Sequence, residues 1–468
     1  MTHTRLLILL NPGRVSRQYL LGIESASRRS GIPTFTLELG PVWSATRLAD
    51  APARAAAAEW FKRAHALCKR ERITHVLSYV FNGVTSFGLA ADQQGARCSP
   101  FTLAGARHIL LWTDHPNWAA DRSAFNPAMR SVLAHPLHDH VLKSRSAAEE
   151  AGAILDWPST RAMPMGEDPA QFQPATGIQP IHDAVAILSD ASEVPAPLTR
   201  FLGDSDPDPA DLASEMIPEA MARFSAALDR AGVAPAQRTV CNSLAHDWLA
   251  AHIAHPLQSF WRLSSQLGAR HATTLDFLAA DPARWYDAVA ALQSITRWRR
   301  NFWLAWLGRR VNLGVYGCSS APLGLSQPAG AEKPIAYNDQ SRIYALGRAA
   351  ININAGHDEE GLTHKPFQIA AGGAGVGGAC IHHDSLGLSD SFEPGEEIIT
   401  FDRGPELLDA VRALSSDDSL RRRIAEAMHA RFRADHTWQH RLPALLNRQA
   451  TPPRAAVAPV HEPVPIAA

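Results

Sequence analysis

The passage Asn352-Ile353-Asn354-Ala355-Gly356-His357-Asp358-Glu359-Glu360-Gly361-Leu362-Thr363-His364-Lys365-Pro366-Phe367-Gln368 combines residue types that suit phosphates and hydroxyls. Its pattern predicts a strand ending at Asn354, an acidic glycine-bearing turn, and a helix beginning at Lys365. A helix start presents backbone N–H groups, and a lysine beside them suits phosphate oxygens. A merely solvated lysine there would oppose the helix dipole, which favours a partner anion for Lys365. Glu360, on the turn, and Gln368, about one turn inside the helix, can both accept hydrogen bonds from hydroxyls. A sugar nucleotide carries both kinds of group.

Three other strand ends carry polar or turn-forming residues: Asn11-Pro12-Gly13, Asn82-Gly83 and Asp114-His115-Pro116. Ligands of open α/β sheets sit beyond the carboxyl ends of strands. Asn11, Gly13, Asn82 and Gly83 are therefore expected to rim one crevice with Asp114 and His115. Residues 373–378 spell G-x-G-x-x-G, but a helix precedes them and a strand follows, the reverse of the dinucleotide fingerprint, so NAD binding is not expected. The 21 histidines include His382-His383 and the pair His138 and His140, without an H-E-x-x-H pattern. They read as satisfied polar groups. Six of the 12 tryptophans fall between Trp248 and Trp306, near Arg297, Arg299 and Arg300. Such a set can stack nucleic-acid bases, but its helical spacing favours packing, with the arginines on a wet face.

The elements that must position these residues alternate as in a parallel α/β protein. Strands over 5–11, 33–38, 73–80, 108–112 and 138–142, with helices over 16–30, 51–70 and after Ser144, make a first unit of βαβ steps. The stretch 165–174 is rich in turn formers and reads as a linker. A strand over 184–188 opens a second unit, and a long helical stretch follows, with capping starts at Asp208-Pro209 and Asp281-Pro282. The rhythm resumes with strands over 311–316, 350–354, 378–382 and 398–401, and helices over 340–349, 365–371, 405–414 and 418–433. The expected division is a first domain at 1–164, a linker at 165–183, a second domain at 184–448 with a helical insertion at 200–308, and a disordered Pro/Ala-rich tail at 449–468.

Length and composition agree with two domains plus a surplus, in 468 residues of which 46% are hydrophobic and 19% charged. A net charge of −1 excludes global disorder and a polyanion-coating protein, though not a local basic pocket. The early apolar run is too short for a signal peptide, and no run approaches a membrane span. Cys68, Cys98, Cys241, Cys318 and Cys380 are scattered, with no Cys-x-x-Cys. A soluble cytoplasmic protein with free thiols is expected.

The passage around Glu360 resembles the donor-binding motif of GT-B glycosyltransferases. That motif reads Glu, seven residues, Glu, with Gly-Phe after the first acid and Ala-x-x-Gly after the second. Here Glu360 is followed by Gly361-Leu362, and Gln368 stands at the second position before Ala370-Ala371-Gly372-Gly373. Residues 344–354, Phe392-Glu393-Pro394-Gly395-Glu396-Glu397 and His436-Thr437-Trp438-Gln439-His440-Arg441 are similar to the CgeB-like branch, relatives of spore maturation protein CgeB. The resemblance is strongest over 311–442, follows the expected order over the first 174 residues, and barely covers the insertion.

The resemblance implies a GT-B fold, two Rossmann-like doubly wound domains facing a cleft, here with a large helical insertion in the second. It implies transfer of a hexose-type sugar from a nucleoside-diphosphate sugar held by the C-terminal domain, with no required metal and no cofactor beyond that donor substrate. The acceptor, held mainly by the N-terminal domain, is a glycan, a protein, a small molecule or a nucleic acid. Carried over residue by residue, Glu360 contacts the donor sugar and Gly361 and Leu362 offer backbone to it. Lys365 faces the diphosphate with His364 assisting, Gln368 holds the ribose hydroxyls, and Gly317 and Asn354 complete the donor side. Gln368 departs from the family's acid and lacks a charge-assisted bond. Inversion would need a base, for which Asp114 and His115 are the candidates. The same triplet also suits a plain turn, and retention and inversion are both open. Two rivals stand beside this reading: a non-catalytic GT-B-shaped binding or scaffold protein, suggested by Gln368 and the insertion, and a nucleic-acid-modifying sugar transferase using the Trp/Arg stretch.

Overall fold

All five residues of the strand Leu6–Leu10 (β1) are buried, as a parallel strand covered on both faces requires. The computed structural model describes residues 4–447, apart from Ala49, Gln94, Ala96, 119–121, Gln173, Thr176, Ala329, 355–359 and 374–378. The acidic turn, most of the glycine-rich run and the tail expected to be disordered lie outside the described residues.

The first sheet adds β2 (Thr34–Glu38), β3 (His75–Tyr79), β4 (Arg107–Trp112), β5 (His138–Leu142) and β6 (Thr160–Ala162) to β1, in the order β2-β1-β3-β4-β5-β6. Every pairing is parallel, with Leu6 opposite both Thr34 and His75, and His108 opposite Val76 and His138. The second sheet is built from β7 (His182–Ile187), β8 (Leu313–Tyr316), β9 (Gly347–Asn352), β10 (Ala379–His383) and β11 (Ile399–Phe401). Its order is β8-β7-β9-β10-β11, again all parallel. Both sheets are doubly wound, with winding reversed at β1/β3 in the first and at β7/β9 in the second.

One expected element is corrected. The helix read over 340–349 stops at Tyr344, and Gly347–Asn352 is strand β9. Ala349 and Ala350 suit a helix locally, but they pair with Ala184 and Val185 on one side and with Ala379 and Cys380 on the other. A central strand buried on both faces has room for small residues, and this tertiary need overrides their helical propensity. Helices over Gly40–Leu48 and Trp438–Asn447 were not anticipated.

Between β7 and β8 the chain forms helices at Pro209–Glu215, Ile217–Arg230, Pro235–Ala254, Phe260–Ala279, Pro282–Leu292 and Ser294–Gly308. The side chains of Asp208 and Asp281 cap two of these starts, satisfying N–H groups that lack helical partners. Trp248, Trp285, Trp298, Trp303 and Trp306 are buried, and Trp261 packs edge-on against Trp285. Edge-to-face pairs join Trp248 to Trp285 and Trp303 to Trp306, each at 5.8 Å. Five of the six rings are core and are not available for stacking bases, and Trp261 is partly buried. Arg299 is buried with them, whereas Arg297 is exposed. Among the described residues no helix is long and apolar enough to cross a membrane.

The two halves clasp each other twice. From the insertion, Trp285 Nε1 donates to Glu150 Oε1 at 2.7 Å, Gln293 Oε1 accepts from Asn117 at 2.8 Å, Tyr286 stacks on Phe125, and Asp287 pairs with Arg122. From the chain end, the helix Trp438–Asn447 returns to the first sheet, where Tyr19 meets Trp438 edge-on at 4.9 Å. Its last carbonyls accept from Arg161, at Ala444 and Leu445, and from Arg107, at Leu446. Replacing Trp285 by Phe keeps an aromatic ring but removes the indole N–H and leaves Glu150 short of a donor, so urea denaturation is expected to show a loss of about 1–3 kcal/mol. An unchanged midpoint would remove this bond from the interdomain packing.

Candidate functional site

Where the chain leaves the carboxyl ends of β5, β6 and β10, it enters a cavity of about 790 Å3 between the two sheets. The first half contributes Lys143, Ser144, Arg145, Ala162 and Pro164. Ser144 caps the helix Arg145–Leu155, its side chain accepting from Ala147 N, so Lys143 and Arg145 flank a positive helix end. The second half supplies Glu360, Gly361 and Leu362 from the turn after β9, Leu386, Gly387, Asp390 and Ser391 after β10, and Arg431, Asp435, His436, His440 and Arg441 near the chain end. The insertion supplies Arg262. Five arginine and lysine side chains thus line the cavity against the carboxylates of Glu360, Asp390 and Asp435. Its volume is in the range of pockets that enclose a nucleotide-sized ligand.

A second, smaller cavity of about 170 Å3 lies at the β7/β9 winding reversal. Asp114, Asn354, His364 and Lys365 line it, together with Thr113, Ser189 and Arg300. Three buried polar atoms gather here that have no hydrogen-bond partner among the described residues: Asn352 Nδ2, Asn354 Oδ1 and Thr363 Oγ1.

The residues expected to act together are therefore divided. Glu360, Gly361 and Leu362 face the larger cavity, whereas Lys365, His364, Asn354 and Asp114 face the smaller one. The Lys365 ammonium donates to the Ile187 carbonyl at 2.6 Å, tying its helix to the end of β7. Burial, with Arg300 adding to it, pulls Lys365 down to about 8. His364 is pushed down to about 3 by burial and then by Lys365 and Lys143, so at neutral pH it carries no charge. Gly317 follows β8 at φ +93°, and a Cβ there would lie 2.4 Å from the Leu188 carbonyl oxygen. That glycine permits a close crossing of two strand ends.

The structure places several of the expected site residues away from both cavities. Gln368 is fully buried and lines neither cavity. Its Nε2 donates to Glu167 Oε1 at 3.2 Å, and the Tyr337 hydroxyl donates to the same carboxyl at 2.8 and 2.7 Å. This position faces the core, toward the linker, rather than a ribose. Burial raises Glu167 to about 8, against the lowering effect of Tyr337 and Gln368. An acid at 368 would set two carboxyls in one dry site, which explains a neutral amide there.

His115, expected on the rim, is buried beneath the insertion. Its Nε2 lies 2.9 Å from Glu150 Oε2 and its Nδ1 lies 2.8 Å from Asn117 Oδ1. The turn Pro116–Trp118 draws it inward, while the exposed Asp114 stays at the smaller cavity. Asn11, Gly13, Asn82 and Gly83 sit at the β1/β3 reversal and line neither cavity. Asn11 Oδ1 accepts from Gly13 N at 3.0 Å. Gly83, at φ +93°, makes room for Leu9.

The cations of the larger cavity were missed, as was Glu167. Lys143 with Arg145, Arg262 and Arg431 come from three stretches far apart in sequence and form no motif. The run from His436 to Arg441 was noticed only as part of a resemblance, yet three of its residues line the cavity. Among the described residues no three His, Cys, Asp or Glu side chains gather as metal ligands would.

Residues 299–447 match a protein-family model described as glycosyl transferase-like. No curated protein matches the chain. Several solved structures are similar over most of their length. A glycosyltransferase from Rickettsia africae ESF-5 is 9% identical, with 96% of this chain and 100% of that chain covered and a TM-score of 0.42. The DNA-modifying enzyme β-glucosyltransferase is 8% identical, with 94% and 99% covered and a TM-score of 0.41. Anabaena Alr3699/HepE, solved with UDP and glucose, is 12% identical, with 94% and 98% covered and a TM-score of 0.39. At such scores the architecture rests on the strand orders described above.

The buried Glu167 carboxyl yields a pH prediction. Its proton is held in the fold up to about 8 but is lost from the unfolded chain above about 4.5, so its contribution to stability falls as pH rises between those values. The Tm of the wild-type protein is therefore expected to drop relative to Glu167→Gln from pH 5 to pH 8. Parallel Tm curves would mean that Glu167 is ionised in the fold.

Proposed function

We propose that this protein is a glycosyltransferase of hexosyl type that moves a sugar from a nucleoside-diphosphate sugar to an acceptor. One observation carries the reading: the stretch matching the glycosyl transferase-like family forms most of one wall of a 790 Å3 cavity, and the strand ends of the first sheet form the facing wall. Within the larger group, the resemblance at 344–354, 392–397 and 436–441 supports the CgeB-like branch.

In this reading the donor occupies the larger cavity. Glu360 accepts from sugar hydroxyls, and Gly361 and Leu362 offer backbone beside it. The departing nucleoside diphosphate gains charge, and the preorganised side chains of Lys143, Arg145, Arg431 and Arg441 stabilise that charge in the transition state, whereas Arg262 is engaged by Glu360. This supports transfer without a required metal, so activity should survive chelation of divalent ions. Should the reaction invert, the acceptor hydroxyl needs a base, and of the two expected candidates Asp114 is the exposed one, which requires the acceptor to reach the smaller cavity. The cytoplasm is the proposed setting, where the five free thiols stay reduced.

Incubation with UDP-, GDP- and TDP-sugars is expected to release nucleoside diphosphate with at least one donor. Neither binding nor release with any of them would overturn the proposal. Glu360→Ala is expected to lower kcat/KM by about 10- to 100-fold, the loss of a hydrogen bond to a charged group. Full activity in that variant would take Glu360 out of the donor site.

A further inference from the structure

We propose that Arg262, carried by the helical insertion, is a positioning residue that sets the Glu360 carboxylate for the donor sugar. The inference rests on the transfer reading above and assigns the insertion a part in it. Glu360 is buried, and its Oε1 receives three donors from the insertion: Arg262 Nε at 2.6 Å, Ser259 Oγ at 3.1 Å and Ser259 N at 3.4 Å. Among the described residues no donor reaches Oε2. Arg262 and Glu360 both line the larger cavity, and the Arg262 side chain is 40% exposed.

The three donors form one unit. Ser259 is the N-cap of the helix Phe260–Ala279, and its Oγ accepts from Arg262 N at 3.3 Å while its O–H donates to Glu360. The cap thus fixes Ser259 and Arg262 relative to each other before either meets the carboxylate. A buried carboxylate needs charge-assisted partners to remain ionised. It also rotates readily about its terminal torsion, which is broad and roughly two-fold. Holding all three donors on Oε1 fixes that rotation and leaves Oε2 to accept from a hydroxyl in the cavity. A pair that only fastened the insertion to the second sheet would have no effect on how a sugar is held.

Calorimetry on the full-length protein can separate the two roles, using a nucleoside diphosphate and the matching nucleoside-diphosphate sugar of the base found active in the donor panel. The ratio of the two affinities measures what the sugar adds. Arg262→Ala is expected to reduce that ratio about tenfold, with the affinity for the nucleoside diphosphate alone unchanged within about twofold. Arg262→Lys, which keeps a positive charge near Oε1, should retain most of the ratio. An unchanged ratio in folded Arg262→Ala overturns the proposal, as does an equal loss for both ligands, or a wild-type protein in which the sugar adds nothing. Should Arg262→Ala fail to fold, Ser259→Ala removes a donor to the same oxygen and is read by the same ratio. A wild-type protein that binds neither ligand overturns the transfer reading, and this proposal with it.

Discussion

Asp139, buried on β5 between two neighbouring strands, must find cationic partners, and the way it finds them sets how the two halves meet. Arg107 and Arg161, from the neighbouring strands, both pair with its carboxylate. Burial alone would push that carboxyl up, but the two guanidinium groups outweigh it and hold Asp139 below its usual range. The same guanidinium groups then donate to Leu446, Ala444 and Leu445 carbonyls at the end of the last helix. Among the described residues those carbonyls have no helical partners, and positive charge at a helix end also suits the dipole. One buried acid therefore orients two arginines, and the two arginines hold the end of the second half against the first sheet.

The insertion completes the clasp at another place. It belongs to the second half by chain order, yet Trp285 and Gln293 bond to residues of the first. Its next helix upstream supplies Arg262 to the cavity wall. The tryptophans, whose helical spacing favoured packing over base stacking, are largely the core of these helices, and close packing makes such a support rigid. The linker is similarly committed. Glu167 bridges to Thr437, and Asp168 pairs with Arg29. A stretch whose turn formers suggested a loose connection is pinned by the returning chain end.

Much of the fold was legible because its signals are local. A short apolar run buried on both faces reads as a parallel strand wherever it falls, and the alternation of such runs with helices implies doubly wound sheets. The Ala-rich helix expected over about 51–70 is Ala51–Arg70 in the structure, where Asp50 caps its start and Glu71 ends it. The misread stretch 345–349 shows the limit. Alanines there favour a helix, and only the neighbours β7 and β10 make them a strand. The candidate site was legible in part: Glu360, Gly361 and Leu362 reach the larger cavity, while Gln368 and His115 turn into the core.

From the sequence alone came the order of most strands and helices, the surplus helical stretch and the expectation of a phosphate- and hydroxyl-binding chemistry around Glu360, because these follow from periodicity and from residue types close together in the chain. Tertiary structure alone decided which face of the helix Lys365–Gly372 is buried, that Glu360 and Lys365 open onto different cavities, and that Lys143, Arg145, Arg262, Arg431 and Arg441 converge on one of them. Convergence of distant charges is a property of how sheets and helices pack. A one-dimensional pattern carries no record of it.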